Sequence, residues 1–171
     1  MKTILVVSDS HGNDEALKEL INNTQFDHMF FLGDKLADLE NIDAKNIYKV
    51  KGNWDFGKNE PLSQIVEVEG VKFFVMHGHT FGVRFGMGYL IKEAEKEGVD
   101  VVCYGHTHNA DNSNINGIMY LNPGAFSTLK GGKKTYAIIK VDIKQTNPII
   151  DISLNIYINL FERFGCFEIL G

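Results

Sequence analysis

The chain has 171 residues and a mass of 19.2 kDa, the size of one compact domain. Its 44% apolar and 23% charged residues exclude a disordered or collagen-like chain. Seventeen Lys and Arg against 22 Asp and Glu leave a net charge of −5, which argues against a basic footprint for duplex nucleic acid or an anionic membrane.

The first apolar run resembles the start of a signal peptide but stops at Ser8-Asp9, far short of a signal core, and no later run is long enough to cross a bilayer. Two cysteines, Cys103 and Cys166, make no disulfide framework, so a cytoplasmic, reducing compartment is expected. Residues 3–7 predict a buried strand. Asn13 is placed to cap a helix running to about Asn22, with Asp14 and Glu15 in its first turn and Ala16, Leu17, Leu20 and Ile21 as its apolar stripe. Residues 29–32 and 47–50 read as the second and third strands. Ile65, Val66 and Val68 lead to a hairpin turn at Glu69-Gly70, and Val71–Met76 returns. A helix over Gly88–Glu97 has Gly98 as its C-terminal cap. Strands over 99–104, 118–121, 136–143 and 149–160 follow. In the last, Ile150, Ile152, Leu154, Ile156, Ile158 and Leu160 alternate with polar residues, the period of a strand with one face buried. Lys130, Lys133 and Lys134 lie in a Gly-rich loop and read as a solvated turn. The apolar tail over 161–171 fits an oligomer contact or a disordered end. Early β-α-β units followed by a strand-rich half predict an α/β sandwich of mixed sheets.

The polar residues just beyond each apolar run carry the chemistry. Asp9-Ser10-His11 comes after the first strand, Asp34 after the second, and Asn53-Trp54-Asp55 after the third. His77-Gly78-His79 comes after residues 71–76, and His106-Thr107-His108 after Gly105. In α/β sheets the carboxyl ends of strands border the functional crevice, so these five segments predict one converging polar cluster. Five of the six histidines lie in them; His28 reads as structural or exposed, and Cys103 as a core residue. Each segment alone has a plainer reading as a cap or a turn, but two His-x-His pairs at strand ends do not suit a packed core. Imidazole, carboxylate and one amide oxygen without thiolate suit Mn, Fe, Zn, Co or Ni rather than a structural zinc. Asp9, His11, Asp34, Asn53, His77, His106 and His108 are too many donors for one ion. They suit two ions roughly 3.5–4 Å apart, as in phosphoester hydrolysis.

The ordered set Asp9-x-His11, Gly33-Asp34, Gly52-Asn53-x-Asp55, His77-Gly78-His79 and Gly105-His106-x-His108, then Asn122-Pro123-Gly124, resembles the calcineurin-like metallophosphoesterase superfamily, above all its small single-domain bacterial and archaeal phosphodiesterases. The resemblance spans about residues 3–145. It implies a two-layer mixed β-sheet sandwich flanked by helices, with residues 1–171 as one domain and the motifs within 9–124. It also implies one metal on Asp9, His11, Asp34 and His108 and a second on Asp34, Asn53, His77 and His106, with Asp34 bridging. The cofactors implied are two divalent metal ions, manganese first, with Ni, Fe, Zn or Co compatible. The reaction implied is attack of a metal-bridging hydroxide on a small phosphodiester, with Asn53 and His79 as further catalytic candidates. Two departures stand out. The commonest family form has a histidine after the motif asparagine, where this chain has Trp54, which cannot act as a general acid near pH 7. The chemistry should then favour good leaving groups or use another acid, for which His79 is the nearest candidate. Ala37 also stands where another Asp often follows the Gly-Asp motif, and Asp38 comes next.

A phosphomonoesterase would use the same centre. A scaffold similar to the retromer subunit, which has lost metal-binding histidines, would use the fold without its chemistry. The expected partner is a small phosphodiester, with no duplex nucleic acid and no membrane, and the tail and strand edges leave a homo-oligomer open. Specificity is expected in the loops over 80–87 and 126–134.

Overall fold

An apolar run without alternation must be covered on both faces, and this need dictates the layers. The computed structural model describes residues 1–127, 133–144 and 147–156. In chain order the elements are β1 (Lys2–Val7), α1 (Asp14–Asn23), β2 (His28–Phe31), β3 (Ile47–Lys49), β4 (Ser63–Val68), β5 (Val71–Met76), α2 (Gly88–Glu97), β6 (Val101–Cys103), β7 (Asp111–Ile115), β8 (Ile118–Asn122), β9 (Thr135–Lys144) and β10 (Asn147–Ile156). They form two five-stranded mixed sheets, ordered β10-β9-β1-β2-β3 and β4-β5-β6-β8-β7.

The sheets stack face to face. In β1, Ile4 and Val6 enter the core between the sheets, while Leu5 and Val7 pack under α1. β2 divides in the same way, with Phe30 inward and Met29 and Phe31 toward α1. In the second sheet Phe73, Val75, Val101 and Cys103 face the first, whereas Phe74, Met76 and Val102 pack with Leu90 and Ala94 of α2. The order is therefore helix, sheet, sheet, helix, the predicted α/β sandwich. Ile150 and Ile152 of β10 lie against the inter-sheet core, opposite Val141 and Ile139 of β9, as their alternation predicts. Residues 157–160 of that predicted strand, the tail over 161–171, Lys130 and Cys166 lie outside the described residues.

Three local findings differ from the expectations. Strand β7, Asp-Asn-Ser-Asn-Ile, carries no apolar run because it is the edge of its sheet. Its hairpin partner β8 begins after Asn116-Gly117, where both residues have positive φ (54° and 85°), a two-residue turn that this dipeptide favours. Asn13 occupies the position before α1, but its amide donates to Ser10 O (2.6 Å) instead of accepting from the helix. Third, β6 covers only the middle of its predicted span. The hairpin at Glu69-Gly70 and the Gly98 cap of α2, whose N–H bonds Ala94 O and Glu95 O, are as predicted.

Candidate metal centre

The strands β1, β2 and β3 run parallel, and so do β5, β6 and β8. Their carboxyl ends share one edge of the sandwich. Hydrogen bonds fasten that edge: His77 Nδ1 to Leu32 O (2.8 Å) and the His106 N–H to Asp9 Oδ2 (3.0 Å) join the two sheets, and the Phe126 N–H to Ser8 O (2.8 Å) ties the segment after β8 to the end of β1. Each chain segment must turn sharply as it leaves its strand. Asp9, His11, Asp34, His106 and His108 all take left-handed backbone (φ 47–68°), a conformation that costs a non-glycine residue energy and clusters at functional sites.

The side chains converge in two groups, Asp9 with His11 and His108, and Asp34 with His77 and His106, each with its donor atoms within 4.8 Å of one another. Asp9 Oδ1 lies 3.0 Å from His108 Nε2 and 3.7 Å from His11 Nε2. Asp34 Oδ2 lies 3.3 Å from His77 Nε2 and 3.9 Å from His11 Nε2, so it stands between the groups. Asn53 Oδ1 is 3.2 Å from His77 Nε2 and joins the second group. His11 Nε2 and His108 Nε2 approach to 3.4 Å, and His106 Nδ1 and His77 Nε2 to 3.2 Å.

These contacts test whether the donor set fits divalent metal. Among the described residues, every ion-pair contact of the buried Asp9 and Asp34 is with a histidine. Asp9 Oδ1 is buried and no hydrogen-bond donor is aligned on it, although His108 Nε2 is close. A buried carboxylate oxygen in that state is costly unless a cation is nearby. His77 donates through Nδ1 to Leu32 O, which leaves Nε2 as a lone pair aimed at Asp34, Asn53 and His106. Nitrogen and oxygen lone pairs thus face one another across a shared space, and the set fits the divalent metals named from its chemistry.

Electrostatics without a metal match the same layout. Burial pushes the carboxyl of Asp9 up, but His108, His77 and the Ser8 hydroxyl outweigh it and hold it below the usual range. Asp34 behaves alike: burial raises it, and His77 and the Trp54 N–H bring it lower. Burial lowers His77, yet Asp34, Asp9 and Leu32 O raise it overall. Burial and then the charges of His77 and Arg84 push His106 down to about 4. Burial and His77 also lower His79.

The structure brings together all seven predicted ligands. His79 sits at the margin, its ring 5.3 Å from His77 and 6.1 Å from His106. Trp54 is 65% exposed, meets His11 edge-on at 6.0 Å, and donates its backbone N–H to Asp34 Oδ1 (2.9 Å). His28 stands away from the centre, beside Tyr48.

Three bracing residues carry no role that the sequence alone assigns. Asp55, buried, accepts the N–H groups of Asp34, Lys35, Leu36 and Gly52 at 2.7–2.9 Å and so fixes the Asp34 loop to the Asn53 loop. Asp38 accepts from Ser10 Oγ (2.6 Å) and the Gly12 N–H (2.8 Å) and steadies the turn that carries His11. Asn122 donates to Gly105 O and Thr107 Oγ1 (both 3.0 Å) and braces the turn between His106 and His108. Its place in Asn122-Pro123-Gly124, and that of Asp55 in Gly52-Asn53-x-Asp55, are the signals that mark them. Gly33 and Gly52 let these loops touch: a Cβ on Gly52 would collide with Asp34 Oδ1, and one on Gly33 with Gly52 N.

The fold and the paired donor groups are those of a phosphoesterase, and similar proteins agree. The calcineurin-like phosphoesterase superfamily domain matches residues 1–144, and the chain belongs to that superfamily. The chain is 29% identical to the probable metallophosphoesterase YsnB of Bacillus subtilis, over 81% of this chain and 84% of that one. It is 27% identical to phosphodiesterase MJ0936 of Methanocaldococcus jannaschii, over 85% and 96% of the two. Among solved structures it is similar to a predicted phosphoesterase of Streptococcus pneumoniae (30% identity, TM-score 0.72, 88% of each chain). It also shares the fold of Vps29 from Chaetomium thermophilum (19% identity, TM-score 0.72, 92% and 98% of the two). Divalent metal ions and phosphoester hydrolysis are what this family implies, and no helix among the described residues is long and apolar enough to cross a membrane.

Proposed function

We propose that this chain, one domain over residues 1–171, hydrolyses phosphodiester bonds in small substrates with two divalent ions. Asp9, His11, Asp34 and His108 would hold one ion, and Asp34, Asn53, His77 and His106 the other. The observation that carries this reading is the pair of donor groups with Asp34 between them and Asp9 Oδ1 buried without an aligned donor. Two such ions supply a water of lowered pKa and offset the charge of the phosphoryl oxygens. Manganese is the first metal to test, because the donors are equally suited to Ni, Fe, Zn and Co and availability decides among them. Two cysteines in no disulfide framework support a reducing, cytoplasmic compartment.

The residues around the ligands define the rest. Asn53 presents its Oδ1 to the cluster, which leaves its amide N–H groups to donate to a phosphoryl oxygen. Burial and His77 push the pKa of His79 down, which favours its neutral form, an N–H donor beside His77 and His106. Trp54 occupies the place of the family's histidine and holds no transferable proton near pH 7. Substrates whose leaving group departs without a proton are therefore favoured.

The test is hydrolysis of bis(p-nitrophenyl) phosphate and p-nitrophenyl phosphate by chelator-treated protein, with and without Mn²⁺. Diester cleavage that requires metal and exceeds monoester cleavage is expected. Monoester cleavage in excess would instead make the chain a phosphomonoesterase with the same centre. The Vps29 likeness in fold keeps a scaffold as the second reading; protein that binds no ion and cleaves neither ester with any of the five metals would move the weight to it, and a partner search would follow.

A further inference from the structure

A cavity of about 380 Å³ opens beside the centre, lined by Lys51, Asn53, Asp55, Phe56, Leu62 and His79. Asn53 and His79 belong to both the centre and the cavity wall, so the two spaces adjoin. The lining also holds apolar side chains. Phe56 is 86% exposed and Leu62 43% exposed, two of eight large apolar side chains that stand open among the described residues and the two of them that line this cavity. Large apolar groups left open beside a polar site mark a ligand surface. The lining thus combines the polar Asn53 and His79, shared with the centre, with the apolar Phe56 and Leu62, and Lys51 adds a cation. An ester of phosphate has the same polarity: an anionic head at the centre and an organic group extending outward.

We propose that this cavity is the subsite for the second ester group of the substrate, an aromatic or similarly flat apolar group, and that Phe56 and Leu62 determine specificity for it. The proposal rests on the phosphodiesterase reading and deepens it. The volume is near the lower end for small-molecule pockets, about 300–1,000 Å³, which suits one ring system and not a polymer. The open ring of Phe56 offers a stacking face for that ring. Gly57 adds no side chain to the wall, and a Cβ there would meet nothing within 4 Å. A phosphomonoester has no second group and gains nothing from the cavity, so the same feature separates diesters from monoesters.

The test compares bis(p-nitrophenyl) phosphate with methyl p-nitrophenyl phosphate, which share a leaving group and differ in the second ester group. In Mn²⁺-loaded Phe56→Ala and Leu62→Ala, kcat/KM for the bis-aryl ester should fall about tenfold, mostly through KM. That for the methyl ester should stay within about twofold of the unaltered protein. Equal loss on both substrates, or no loss on either, overturns the subsite. A binding arm keeps the two readings apart. Trp54 is the only tryptophan, and its fluorescence should respond to diphenyl phosphate far more than to dimethyl phosphate, with the difference lost in Phe56→Ala. That pattern in protein that hydrolyses neither ester would uphold the subsite and sink the phosphodiesterase reading. Absence of both hydrolysis and selective binding would sink both.

Discussion

The two sheets contribute unlike halves to the centre. Loops after β1, β2 and β3 bring its oxygen donors, Asp9, Asp34 and Asn53, with His11, whereas those after β5 and β6 bring only imidazoles, His77, His106 and His108. The bracing differs accordingly. In the first half, buried carboxylates collect backbone N–H groups, four on Asp55 and one on Asp38 with a serine hydroxyl. In the second half, Leu32 O orients His77 across the seam and the Asn122 amide holds the turn at Gly105 and Thr107. A carboxylate accepts several donors at once, so it can order a loop by itself. An imidazole needs only one of its nitrogens held, and the other is then aimed.

The sharpest break of this division is Asp34→Ala, which removes the one oxygen donor standing between the groups. Phosphoesterase activity should fall by more than about a thousandfold, and stabilisation by metal in a thermal melt should vanish. Full activity would disprove the bridging role. Asn53→Ala or His106→Ala should spare the Asp9 group, so metal analysis should find one ion where two are proposed for the unaltered protein.

Asp55→Ala strands four backbone N–H groups on the oxygen-donor side and should cost roughly 3–5 kcal/mol in urea denaturation. Asn122→Ala, on the imidazole side, should cost about 1–3 kcal/mol and weaken metal binding about 10–100-fold. If the second variant is the less stable, the bracing of the halves has been ranked wrongly. Excess Mn²⁺ at a hundred times its dissociation constant should add about 2.7 kcal/mol to the unaltered protein, a gain that a chelator removes.

In chelator-treated protein the halves should also answer pH oppositely. Asp9 and Asp34 have lowered folded pKa values. Their contribution is present above the unfolded value of 3.8 and is lost as pH falls through the folded values. His77 is raised, so its contribution is full below 6.5 and is lost as pH rises through its folded value. A melting temperature that fails to decline at both ends would contradict these couplings. The smallest effect expected is Trp54→His, a few-fold gain in monoester over diester cleavage from a restored proton donor; an unchanged ratio would remove the reason given for diester preference.

Much of this is legible in the linear chain. Apolar runs such as Val71–Met76 mark strands because burial on both faces leaves no polar position, and the polar residues after each run mark the site because strand ends open onto the crevice. Strand β7 is hidden because an edge strand needs no apolar run, although Asn116-Gly117 is its turn signal. Asp38 gives no local sign of its role because its partners, Ser10 and Gly12, lie more than 20 residues away in sequence. Specificity is expected in the loops over 80–87 and 126–134; residues 128–132 of the second lie outside the described residues, and the cavity on residues 51–62 with His79 is a further region that local pattern does not mark.

The sequence by itself determined which residues could serve as ligands and in which order the strands present them, since both arise from local periodicity and side-chain chemistry. Only the tertiary structure decided how Asp9 meets His108, how Asp34 stands between two groups, and where Phe56 leaves an apolar wall open. Those relations arise when two sheets stack and their carboxyl edges coincide, and no local pattern encodes the distance between segments that meet only across that seam.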